Sequence, residues 1–189
     1  CSTLLAAPGQ AGGAAGRVEL VLDYELTPAQ HAAAGELIQF WEGEGPSALV
    51  WAACGAGKTE VTFPLIQRAL EEGWEVLFAI PRQDIVREVV DRLSRAFPKV
   101  PVAAHYAGQP PLAQGRLVVA TTHQVLQFYR RFRLVILDEV DAFPYQGNEQ
   151  LRFGLRRALA EGGRLVEMTA TPGGKLGYSK VITIPARYH

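Results

Sequence analysis

Residues 48–59 read ALVWAACGAGKT, an apolar run, then a glycine-rich turn, then a Lys-Thr pair. The run Ala48–Ala53 suits a strand buried on both faces of a parallel sheet. The turn Cys54-Gly55-Ala56-Gly57 exposes successive backbone N–H groups, and helical spacing from Lys58 to Glu72 sets a helix start directly behind it. Such N–H groups and the positive end of a helix dipole together hold an anion. In this arrangement Lys58 reaches the β- and γ-phosphates of a nucleotide and the Thr59 hydroxyl ligates Mg²⁺. The strict pattern opens on Gly six residues before the Lys, where this chain has Ala52. A tight glycine turn with a solvated lysine is the bland alternative, and the strand–loop–helix order weighs against it.

Outward from this stretch the sequence alternates between two periods. Val18–Tyr24 predicts a short strand, and Thr27-Pro28 opens a helix to Trp41, with Thr as N-cap and Pro at the first helical position. Glu75–Ile80 predicts a second strand and Gln83–Phe97 an amphipathic helix. Val100–Ala104 and Arg116–Ala120 read as further strands, Thr122–Tyr129 as a helix, Leu134–Leu137 as a strand, Asn148–Glu161 as a helix and Arg164–Met168 as a last strand. Strand–helix alternation of this kind predicts an α/β domain, a mostly parallel sheet with helices on both faces.

Leu134-Val-Ile-Leu137 runs into Asp138-Glu139-Val140-Asp141, which puts carboxylates at the C-terminal end of a buried strand. Ligands of open parallel sheets bind at that edge. There Asp138 is expected to hold Mg²⁺ and Glu139 to orient and deprotonate an attacking water. A charge run is usually a solvated turn, but this one follows an apolar strand and shares its chain with GAGKT. The two elements together specify hydrolysis of a nucleoside triphosphate, so Lys58, Asp138 and Glu139 are the candidate catalytic residues.

DEVD fits the DExD/H pattern of superfamily-two helicases and translocases, and other segments follow in that family's order. Leu26-Thr-Pro-Ala-Gln30 resembles the segment whose Gln recognises adenine. Pro81-Arg82-Gln-Asp84 and Thr121-Thr122-His123-Gln124 resemble the two DNA-contact motifs that follow strands. Thr169-Ala-Thr171-Pro172 resembles the motif that couples hydrolysis to DNA binding. The stretch VATTHQVLQFYRRFRLVILDEVDAFPY, Val119–Tyr145, is similar to the ComFA family of late-competence DNA-uptake ATPases, and DEVDAFPY is its most specific part. WAACGAGKTE, AIPRQDIV, TATPGG and the closing IPARYH agree with it too, so the similarity runs from about Leu26 to the end.

That resemblance implies a RecA-like P-loop domain, the first of two lobes, using ATP and Mg²⁺ to draw single-stranded DNA into the cytoplasm at the inner membrane face. It implies nucleotide contacts from Gln30, Cys54, Gly55, Ala56, Gly57, Lys58 and Thr59. DNA contacts fall to Arg82, Thr121, Thr122, His123 and Gln124, and coupling to Thr169 and Thr171. A second RecA-like lobe and components of the competence membrane channel are the implied partners. Zinc is implied only for four cysteines upstream, which this sequence lacks. Residues 1–17 then read as a linker or fragment start, 18–184 as the ATP-binding lobe and 185–189 as the start of a connection to the second lobe. A lobe without the arginines its partner supplies is expected to hydrolyse ATP barely at all, since such an arginine is worth ~10³–10⁵ in rate. A primosomal or repair helicase lobe is the competing enzyme reading, and an inert nucleotide- or DNA-binding module the competing reading of another class.

Composition bounds these readings. The chain has 189 residues, 19 Lys plus Arg against 19 Asp plus Glu, and a hydrophobic fraction of 48%. Charge balance argues against a purely electrostatic nucleic-acid coat or a binder of anionic membranes, and leaves room for a local basic groove. Cys1 and Cys54 make no disulfide framework, no apolar run reaches the ~18 residues of a membrane span, and the first residues lack the pattern of a signal peptide. The expectation is a cytoplasmic chain without membrane insertion, peripheral at the membrane's inner face if it follows the family.

Overall fold

The computed structural model describes residues 5–6, 15–53, 57–108, 115–139, 149–171 and 177–185. In chain order the elements are β1 (Leu5–Ala6), α1 (Pro28–Glu42), β2 (Ser47–Ala52), α2 (Lys58–Val61), α3 (Phe63–Glu71), β3 (Val76–Ile80) and α4 (Gln83–Ala96). Then come β4 (Val102–His105), β5 (Leu117–Thr121), α5 (Thr122–Val125), β6 (Phe128–Tyr129), β7 (Phe132–Leu137), α6 (Glu149–Ala158), β8 (Leu159–Thr169) and β9 (Lys180–Ile184). Seven strands form one sheet in the order β4-β5-β3-β7-β8-β2-β9, and every pairing is parallel. The α/β expectation holds.

Parallel strands need crossovers, and these cover both faces. Side chains of α1, α3 and α4 pack with Val50, Phe78, Ile136 and Met168 in one core cluster. On the other face Val125, Leu151 and Leu155 from α5 and α6 pack with Leu77, Val118, Val135 and Leu165. Alternate residues of β3 and β7 therefore enter opposite cores, and both strands are buried along most of their length. The register aligns the strand ends: Ala79 faces Leu137, Ile80 faces Thr121, Leu137 faces Glu167 and Trp51 faces Thr169. The segments that follow β2, β3, β5, β7 and β8 consequently leave the sheet at one edge.

Five local expectations need correction. Val18–Tyr24 forms no strand and pairs with no described strand, and residues 23–24 are bends. Part of its backbone bonds to helices instead: Val18 N–H donates to Glu71 Oε1 (3.1 Å), Val21 N–H to the Ala96 carbonyl (2.8 Å), and Gln67 Nε2 to the Val18 carbonyl (2.8 Å). The helix expected over 58–72 is divided at Thr62, because Pro64 has no N–H to continue the ladder, and Thr62 Oγ1 donates to the Thr59 carbonyl at 2.6 Å. The helix expected over 122–129 stops at Val125. Phe128 is instead buried between the rings of His105 (5.4 Å) and Phe132 (5.0 Å), and Phe128–Tyr129 pairs with Leu5–Ala6. The helix that starts near 148 ends at Ala158, where the N–H groups of Arg130 and Arg131 cap the carbonyls of Arg157 (2.8 Å) and Ala158 (2.9 Å). The last strand read from sequence begins earlier, at Leu159, with a register break between Phe132 and Leu134 and Gly162 at φ 67°. The edge strand β9 went unread.

Burial predicts how these strands respond to truncation. Ile136→Ala, in the fully buried centre of β7, should cost about 2–5 kcal/mol, read from the midpoint of urea unfolding. Val181→Ala on edge strand β9, where Val181 is 36% exposed, should cost under about 1 kcal/mol. Equal effects would contradict the assigned layers.

Candidate nucleotide site

The loop that follows β2 and the end of β7 meet at the common edge. Lys58 Nζ lies 3.0 Å from Asp138 Oδ1, so the first residue of α2 and the first residue past β7 form an ion pair. Asp138 still donates its N–H to the Ala79 carbonyl (3.0 Å), which fixes it to β3, and Oδ1 also accepts the N–H of Glu139 at 2.9 Å. Glu139 sits at φ 55°, a left-handed conformation that costs a non-glycine residue roughly 1–2 kcal/mol. Strain of this size persists where the surroundings hold it, and such sites are commonly functional. Thr59 is buried beside Lys58.

Gln30 is also drawn to the loop. Its Oε1 accepts the Thr27 N–H (2.8 Å) while its own N–H donates to Thr27 Oγ1 (3.3 Å), a reciprocal capping box at the start of α1. A Cβ added to Gly57 would fall 2.3 Å from Gln30 Nε2, so that amide lies against the loop's last glycine. Gly57 has φ 67°, which only glycine adopts at little cost. Cys54, Gly55 and Ala56, the remainder of the expected phosphate contacts, lie outside the described residues.

The expected DNA-contact residues reach the same edge with different exposures. Arg82 is exposed at the N-cap of α4 and pairs with Asp84 at 2.6 Å; that carboxylate holds the guanidinium above its usual range, and Arg82 in turn lowers Asp84. Thr121 and Thr122 are buried, and the Thr122 hydroxyl has no hydrogen-bond partner among the described residues. Thr121 ends β5 and Thr122 opens α5 with their side chains inward, whereas His123 is exposed and Gln124 half-buried. Gln124 Oε1 accepts from Gln127 Nε2 at 2.5 Å. Thr169 is buried at the end of β8, where its hydroxyl accepts the Thr171 N–H at 3.1 Å. Pro172 is not among the described residues.

The family described as type III restriction enzyme, res subunit, matches residues 23–174. The chain belongs to this family. It is 39% identical to the competence protein ComFA of Bacillus subtilis (strain 168) over 181 residues, covering 91% of this chain and 38% of that protein. Competence protein ComFA of Streptococcus pneumoniae (strain ATCC BAA-255 / R6) is 37% identical over 171 residues, covering 87% of the chain and 39% of its own length. The chain thus spans about two fifths of these relatives. Among solved structures, the UvsW helicase from bacteriophage T4 shares the fold with a TM-score of 0.68 at 14% identity, covering 88% of this chain and 64% of that one. The ComFA resemblance read from Val119–Tyr145 is borne out, and so is the RecA-like fold of a helicase lobe.

Within this domain, three residues went unnoticed in the sequence. Glu60, in the first turn of α2, is 6% exposed and ion-paired with Arg92 from α4, while its second oxygen, Oε2, is buried with no hydrogen-bond partner among the described residues. Tyr24 joins this pair in lining a cavity of about 280 Å³ between residues 21–24 and the helices α2, α3 and α4. Burial, with the Glu60 carboxylate, raises the Tyr24 phenol above its usual range. The signal was present in GKTE, where a charged residue directly after the loop's Thr falls on the buried side of a short helix.

Gly57→Ala isolates the local constraint. Its left-handed φ costs about 1–2 kcal/mol, and the new methyl collides with an amide already held by the capping box. Stability should fall, and Gln30→Ala in the same chain should return only part of the loss, measured by thermal unfolding. Full recovery would mean that the φ of Gly57 carries no strain.

Proposed function

We propose that the chain is the first motor lobe of an ATP-driven, DNA-dependent translocase, and that the whole protein draws single-stranded DNA into the cell during natural competence. The observation that carries this reading is the Lys58–Asp138 pair at the sheet edge, with Thr59 beside it. Lys58 is placed to exchange Asp138 for the β- and γ-phosphates of ATP. Thr59 and Asp138 offer a hydroxyl and a carboxylate, the hard oxygen donors that suit Mg²⁺, which keeps several waters of its own. When bound, that ion would neutralise charge on the phosphates. Glu139, held in its left-handed turn, would orient and deprotonate the attacking water, and Gln30 would meet the nucleotide near the loop.

Arg82, His123 and Gln124 lie at the ends of neighbouring strands and would contact the DNA backbone, which carries no sequence information. Thr169 and Thr171 would link that surface to the nucleotide. We place the lobe at 18–184, with a second RecA-like lobe beyond it supplying the arginines that complete the site. Among the described residues no helix is long and apolar enough to cross a membrane, which suits a motor that works beside a membrane channel.

Full-length protein tests this. Single-stranded DNA should stimulate ATP hydrolysis, and Lys58→Ala should reduce the stimulated rate by at least about 10²-fold, since charge stabilisation at the transferred phosphoryl group dominates the rate. Equal rates for the two proteins would remove the proposal.

A further inference from the structure

The opposite edge of the sheet carries a basic and aromatic surface that the nucleotide site does not use. Because β7 has six residues, this surface lies about 20 Å from Asp138 along the strand, at ~3.3 Å per residue. Arg130 precedes β7, while Arg156 and Arg157 end α6. These three line an open groove of about 1060 Å³ together with Tyr129 and Phe153. A second hollow of about 340 Å³ continues it past Pro46, Arg156 and Leu159.

Cations at the end of α6 favour its dipole, which accounts for the position of Arg156 and Arg157 but not for the rest. Phe153 is 64% exposed, the most exposed large apolar side chain described, and Tyr129 is 40% exposed. The guanidiniums of Arg130 and Arg157 each stand 5.6 Å from the Tyr129 ring. Arg130 also sits at φ 45°, one of two non-glycine residues with positive φ among those described; the other is Glu139. The chain therefore accepts roughly 1–2 kcal/mol of strain to turn an arginine into this groove.

No carboxylate among the described residues lies within ion-pair distance of Arg130, Arg156 or Arg157. The groove's own acids are Glu161, which forms no ion pair among the described residues, and Glu167, which accepts from the Tyr178 hydroxyl. Outside the described residues the sequence has one acid, Asp141. Three guanidiniums with no ion pair among the described residues, in a chain of zero net charge, are a concentrated field that an anion would answer.

We propose that this groove is a second binding surface for single-stranded nucleic acid, distinct from the strand-end surface of Arg82, His123 and Gln124. The inference rests on the DNA-motor reading above. Guanidiniums match phosphate geometry, and an exposed phenyl ring offers a stacking face to any base. The carboxylates of an acidic polypeptide would satisfy the arginines without using the exposed Phe153 ring, whereas every nucleotide brings a base to stack on it beside its phosphate.

Full-length protein, a labelled oligodeoxythymidine and a KCl titration form the test. Each arginine–phosphate pair removed should lower the slope of log K against log salt by about 0.7. Arg156→Ala/Arg157→Ala is expected to lower it by about 1.4, twice that single-pair value, and Arg156→Lys/Arg157→Lys to keep most of it. Phe153→Ala should weaken binding about 5-fold or more with the slope unchanged. DNA binding that none of these variants alters overturns this inference and leaves the motor reading standing. Absence of DNA binding by the wild type overturns both. Polyglutamate binding that depends on these arginines, with DNA binding that does not, overturns it in favour of an acidic polypeptide.

Discussion

A sheet whose strands all point one way delivers every connection that leaves a strand end to a single edge. In this chain the constraint is strict, because Ile80 pairs with Thr121, Leu137 with Glu167 and Trp51 with Thr169. A slip of one residue would turn each side chain to the other face. The register thus places Lys58, Arg82, Thr122, Asp138 and Thr169 together although they span more than half of the sequence. The Lys58–Asp138 ion pair is the point at which this alignment becomes chemistry. It is partly exposed, with side-chain exposures of 21% and 13%, so both groups remain within reach of a ligand.

What the sequence made legible was what local rules control. The Thr27-Pro28 helix start became a capping box, Ala48–Ala53 became β2, and the apolar run at Leu134 became the central strand β7. The misread segments are those where distant partners decide. Val18–Tyr24 alternates like a strand, but the sheet edges belong to β4 and β9, and part of its backbone bonds to helices instead. Phe128 could continue a helix by propensity, yet its burial beside His105 and Phe132 ends α5 early. Strand β9 is short and half exposed, and it takes its identity from pairing with β2.

The candidate site shows the same division. The motifs gave Lys58, Thr59, Asp138 and Glu139 because their spacing from strand and helix is local. Burial of Thr121 and Thr122 and the pairing of Glu60 with Arg92 depend on how α4 and α5 pack, which no short pattern encodes. Backbone strain also escaped the sequence. Glu139 and Arg130, the two non-glycine residues at positive φ among those described, lie just beyond and just before the same strand. One strained turn thus faces the nucleotide edge and the other the basic groove, and β7 holds both in place through its neighbours β3 and β8.

At the centre of the proposed motor, the Lys58–Asp138 pair would hold the place that phosphate takes. A crystal structure of the lobe with an ATP analogue and Mg²⁺ tests this most directly. Lys58 Nζ should move from 3.0 Å to beyond ion-pair distance of Asp138 and contact a phosphate oxygen. A nucleotide bound elsewhere, with the Lys58–Asp138 pair intact, would contradict it.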